Sequence, residues 1–179
     1  MINKFNELEE LKDLITYYYN FPWLSKKIYF FFNTNKVHKH LFKYFFTTAE
    51  MHNLKEIKEL LNWIDSSKYF IVENINKEIC FRLINKDYSL LAQIAISKNS
   101  FIKELPINSF ILELHYLISL KQGKHIGSNF LIDLIKLQKR LNIPLILYCS
   151  YPLINYYKKF GFKVISKNTF NEYLLVYGL

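Results

Sequence analysis

Residues 110–149 read FILELHYLISL-KQGKH-IGSNFLIDLIKLQKRL-NIP-LILYC, and the order of properties along this stretch decides the fold. Phe110 to Leu120 is long, largely β-branched or aromatic, and free of Gly and Pro, which predicts a strand. A glycine turn follows. From Ile126 to Leu141, the residues Ile126, Phe130, Leu131, Leu134, Ile135, Leu137 and Leu141 form the apolar stripe of an amphipathic helix. Lys136, Lys139 and Arg140 enrich its last turns, where the helix dipole favours cations. Pro144 then precedes a strand at Leu145–Cys149. Strand, crossover helix and strand of this length make a right-handed unit with the two strands parallel.

Upstream, Tyr69–Glu73 and Glu78–Ile84 are β-rich runs separated by Asn74, Ile75, Asn76 and Lys77, the pattern of a hairpin. Leu90–Ser97 reads as a third strand, with a short helix as the alternative, and Lys98–Pro106 as a loop. Further back, helices are expected at Phe5–Tyr19, Lys36–Phe46 and Asn53–Asp65, with a strand at Lys27–Phe32. Downstream of Cys149, a short helix and two strands complete the pattern. The class is mixed α/β, and no repeat or linker divides residues 1–179, so one domain is expected, with residues 1–25 as a helical extension.

The chain has 179 residues, 51% of them hydrophobic, which suffices for one sizeable core. Aromatic residues crowd into Tyr17–Phe32, but Asn20, Pro22, Ser25, Lys26 and Lys27 interrupt them, short of the ~20 apolar residues of a spanning helix. Acidic residues among positions 7–13 break any secretory core, so a cytoplasmic protein without membrane association is expected. Cys80 and Cys149 lack metal-ligand spacing, and His38-x-His40 points to different sides of a helix, so no metal is expected. The net charge is +9. Residues 106–179 contribute most of it, with nine Lys or Arg against Glu113, Asp133 and Glu172. That imbalance suits an anionic partner such as a phosphate.

Three of the four glycines are Gly123, Gly127 and Gly161. Gly123 and Gly127 stand between a strand end and a helix start, where glycine permits φ > 0 and a ligand can approach free N–H groups. With Lys121 and Lys124 alongside, this is a candidate pyrophosphate site. The spacing fits neither the Rossmann nor the Walker pattern.

The segment Gln122-Gly123-Lys124-His125-Ile126-Gly127-Ser128 resembles the coenzyme-A-binding loop of the GNAT (Gcn5-related N-acetyltransferase) superfamily. His125 replaces the pattern's middle glycine. A second segment, Leu153-Ile154-Asn155-Tyr156-Tyr157-Lys158-Lys159-Phe160-Gly161-Phe162, resembles the late helix of that family, although Ser150 stands where Asn is common. The likeness covers residues 109–166, the expected coenzyme-A-binding half. It implies a mostly antiparallel sheet with one splayed parallel pair and flanking helices. Acetyl-CoA is then the implied cosubstrate, held by Leu117, Ile118 and Ser119, by the loop from Gln122 to Ser128, and by Ser150, Asn155 and Tyr157. Tyr157 matches the tyrosine that assists the leaving thiolate. A phenol with an ordinary pKa near ~10 can do so without being consumed by ionisation.

Glu113 and His115, two apart on one strand, share a face, and either, or a water, can take the proton of an amine. The expected reaction is acetyl transfer to a primary amine of a small molecule, peptide or protein, by a monomer or homodimer. Acetylation of aminoacyl-tRNA is the alternative that the basic surplus permits without demanding, and a non-catalytic acyl-CoA-binding module is the other.

Overall fold

The computed structural model describes residues 55–66, 68–74, 79–87, 89–121 and 123–179. The expected elements at Phe5–Tyr19, Lys27–Phe32 and Lys36–Phe46, the aromatic run 17–32, the His38-x-His40 pair, the hairpin loop at 75–78 and Gln122 lie outside these residues.

Among the described residues, seven strands form one sheet: β1 (Tyr69–Asn74), β2 (Ile79–Asn85), β3 (Leu90–Lys98), β4 (Phe110–Ser119), β5 (Leu145–Cys149), β6 (Lys163–Lys167) and β7 (Tyr173–Tyr177). Their spatial order is β1-β2-β3-β4-β5-β7-β6. The helices are α1 (Lys55–Ser66), α2 (Ile126–Leu141) and α3 (Ile154–Lys158), the last entered through a 3-10 turn at Tyr151–Leu153. The β1–β2 and β2–β3 pairs are antiparallel, as the hairpin reading requires, and β4 and β5 run parallel, as the crossover helix requires.

One sheet face carries α1 and α2. Leu60, Trp63 and Ile64 of α1 and Phe130, Leu131, Leu134 and Leu137 of α2 are buried in one cluster with Phe81, Leu83, Ala92, Ile94, Leu112 and Leu114. The rings of Tyr69 and Phe130 meet edge to face at 4.9 Å, and the Tyr69 hydroxyl donates to Asp133 on α2 at 3.0 Å. Burial first, and then the Asp133 charge, push the Tyr69 phenol far above its ordinary range. The opposite face is covered by the loop after β3, whose Ile102 and Leu105 pack on Ile111, Ile146, Leu174 and Val176. Asn99 is 1% exposed and ties that loop together. Its Nδ2 donates to the Ile102 and Leu105 carbonyls, and its Oδ1 accepts from the Ile102 N–H.

Two irregularities in β4 position everything that follows. Opposite β3, Leu114 faces Ile94 and Tyr116 faces Gln93, so His115 is the extra residue of a bulge. The bulge resets the alternation, and Leu114 and Leu117 both pack toward the helices. Opposite β5, the ladder holds three pairs, Leu112↔Leu145, Glu113↔Ile146 and Leu114↔Leu147. No pair beyond Leu114 is present among the described residues, although β4 continues to Ser119 and β5 to Cys149. The two parallel strands therefore part at His115.

Candidate active site

The turn from β4 into α2 uses left-handed backbone at Gly123 (φ 72°) and His125 (φ 54°). Gly127 instead has helical backbone inside the first turn of α2, so the positive φ that the two glycines would permit is used at Gly123 and at His125. A Cβ at Gly123 would meet nothing within 4 Å, so its glycine serves the backbone angle and not space. Gly127 is different. A Cβ there would lie 3.8 Å from Leu117 Cδ2 on β4 and 3.8 Å from Tyr156 Oη on α3.

Ser128 Oγ is 3.2 Å from that same Tyr156 hydroxyl. The first turn of α2 thus bridges the parted stretch of β4 and the helix that follows β5. His125, the residue before α2, gives it no side-chain cap, so the leading N–H groups and the positive end of a sixteen-residue helix face this junction. Ser119, near the end of β4, has a buried Oγ with no hydrogen-bond partner among the described residues. Lys124 and His125 are exposed beside the turn. Lys121 is already engaged, its Nζ 2.7 Å from Asp87.

Tyr157, next to Tyr156 on α3, is 8% exposed and packs edge to face on Tyr156 (5.1 Å) and Phe162 (5.8 Å). Burial, and then the neighbouring Tyr156 and Cys149, raise its pKa well above the ordinary phenol value, so it stays protonated. Gly161, at φ 93°, ends the helix, letting the Phe162 N–H return to the Tyr157 carbonyl at 3.4 Å. Asn155 is exposed on the same short helix, and Ser150 is exposed at the end of β5, where its carbonyl accepts from the Leu153 N–H. Ile118 pairs with Leu91 across the ladder and is half-buried.

Glu113 and His115 share the sheet face away from α1 and α2, as their spacing predicts. His115 Nε2 lies 3.3 Å from Glu113 Oε2. Ser97 of β3 donates its hydroxyl to the other carboxylate oxygen. Burial alone would push Glu113 up, but the hydrogen bonds from His115 and Ser97, with the His115 charge, hold it below the usual carboxylate range. Gln93 Nε2 is 3.3 Å from His115 Nδ1, and Arg82 Nε donates to Gln93 Oε1 at 3.2 Å. Ser97, Gln93, Arg82 and Tyr156 are contributors that sequence reading does not single out. The one available signal was Gln93, a lone polar residue in the apolar run Leu90–Ile96.

The fold and the junction define a mixed sheet with its parallel pair open beside a helix N-terminus. No protein-family model matches the sequence, and no curated protein matches it either. Solved structures of similar arrangement, each at low identity, include the following three. One is Arabidopsis thaliana NAA60 in complex with acetyl-CoA, 13% identical with a TM-score of 0.47, covering 56% of this chain and 76% of that one. Another is Arabidopsis thaliana Naa50 with a bisubstrate analogue, at 17% identity and TM-score 0.44, covering 70% and 93%. A third is the PaiA N-acetyltransferase of Thermoplasma acidophilum with coenzyme A, at 20% identity and TM-score 0.42, covering 66% and 69%.

Proposed function

We propose that the chain is an acetyl-CoA-dependent N-acetyltransferase acting on a primary amine. The observation that carries this reading is the parting of β4 from β5 at His115, with the uncapped start of α2 resting on the parted stretch of β4. A parallel pair that parts opens a gap in which an amide-bearing chain such as pantetheine binds as an added strand. The N–H groups of Ile126, Gly127 and Ser128 suit a pyrophosphate, and Gly123, Lys124 and the left-handed His125 shape the turn that receives it. Gln122 completes the loop by its likeness to the family pattern.

The chemistry approaches that gap from both faces of the sheet. Tyr157 belongs to the helix-covered face, and Glu113 and His115 lie on the other. The amine nitrogen forms a bond to the thioester carbonyl carbon and the carbon–sulfur bond breaks. Glu113, directly or through a water, receives the proton that the nitrogen sheds as it attacks. Backbone N–H groups of the parted β4 stabilise the oxyanion, a contribution of about 3–4 kcal/mol per donor in enzymes. Tyr157, held protonated by burial, donates a hydrogen bond to the departing sulfur, which recovers its proton through solvent.

Release of free thiol from acetyl-CoA, followed with a panel of peptides, polyamines and aminoacyl-tRNA, tests the proposal. Thiol release that depends on one amine class identifies the acceptor. Binding of the cofactor with no acceleration by any amine means a non-catalytic acyl-CoA-binding module instead.

A further inference from the structure

The polar chain across β2, β3 and β4 has a direction. Arg82 Nε–H can only donate, and it lies 3.2 Å from Gln93 Oε1. That fixes the amide of Gln93, because the flipped orientation would set its NH2 against the guanidinium. Gln93 is 5% exposed and has no solvent to turn toward. Its Nε2 therefore faces Cys80 Sγ at 3.5 Å and His115 Nδ1 at 3.3 Å, one N–H for each. A donor opposite Nδ1 requires a lone pair there. The imidazole hydrogen then sits on Nε2, which is 3.3 Å from Glu113 Oε2. Ser97 donates to the other oxygen, so Glu113 receives from both neighbours and keeps its remaining lone pairs open.

We infer that Gln93 is a positioning residue that locks His115 as the Nε2–H tautomer, making Glu113 the proton acceptor of the site and His115 its orienting partner. The lock turns Nδ1 toward a buried amide on β3 and away from the β5 side of β4, where a base would have to meet the amine. The consequence for catalysis rests on the acyl-transfer reading, whereas the tautomer does not.

Long-range proton–nitrogen NMR of the imidazoles in the 15N-labelled full chain tests the lock. The His115 signals are assigned by their loss in His115→Gln. The expected wild-type result at neutral pH is a pyridine-like shift on Nδ1 and a pyrrole-like shift on Nε2. Gln93→Glu, which turns the donor into an acceptor, moves the hydrogen onto Nδ1, and Gln93→Leu brings both shifts toward their average. A wild-type His115 with hydrogen on Nδ1, or with averaged shifts, overturns the inference even if neither variant folds. In turnover, His115→Gln, whose amide can still donate to Glu113, retains more kcat than Glu113→Gln, with KM for acetyl-CoA unchanged. Equal losses overturn the assignment of Glu113 as acceptor. Absence of thiol release with every amine refutes the acyl-transfer reading alone, since the tautomer is read without turnover.

Discussion

Glu113 and Tyr157 are set in opposite electrostatic circumstances, and each makes a measurable prediction. The carboxyl of Glu113 is depressed by donors around it, so it stabilises the fold fully above the unfolded glutamate value near ~4.3 and loses that contribution as pH falls through its lower folded value. Glu113→Gln removes this dependence: the stability gap between wild type and variant narrows toward zero in acid, as read from denaturation midpoints across pH 2–6. For turnover, loss of a positioned proton acceptor lowers kcat by about 100-fold or more. Tyr157→Phe keeps the ring packing and removes only the hydroxyl, so we expect kcat to fall while thermal stability changes little. Unchanged turnover across pH would end the role assigned to Tyr157. His125 carries left-handed backbone that glycine adopts at no steric cost. His125→Gly is therefore expected to leave stability unchanged or raise it by up to about 1 kcal/mol, measured by urea denaturation.

At the scale of elements, α2 does two jobs. Its apolar stripe seats it on the sheet, and its first turn meets β4 and α3. Leu134, fully buried between α2 and the sheet, costs about 2–5 kcal/mol when cut to Ala. Gly127→Leu acts at the other end of the helix, reaching past the 3.8 Å contacts to Leu117 and Tyr156 into the place assigned to the cofactor. Acetyl-CoA binding should be lost in that variant while the sheet persists by circular dichroism. These elements were legible from sequence because they are local: the helix stripe ends at the predicted Ile126 and Leu141, and β5 at the predicted Leu145 and Cys149. The bulge at His115 was not legible, since it arises from the register between β3 and β4. For the same reason Gln93, Ser97 and Arg82 were missed. They lie on other strands, and only strand pairing brings them to His115 and Glu113.

At the scale of the whole molecule, the sheet separates two tasks. One face holds the helices and Tyr157, the other holds Glu113 and His115, and the gap between β4 and β5 joins them. No helix among the described residues is long and apolar enough to cross a membrane. Lys124, Lys139, Arg140, Lys158, Lys159 and Lys163 are exposed, in keeping with the basic surplus of the C-terminal part. Thermal unfolding with and without acetyl-CoA checks whether the gap and the start of α2 bind that molecule. At 100 times its dissociation constant a ligand adds about 2.7 kcal/mol, which raises Tm by roughly 5–10 °C for a domain of this size. That rise is expected in the wild type and is expected to be absent in Gly127→Leu. No rise at millimolar acetyl-CoA in the wild type would contradict that binding.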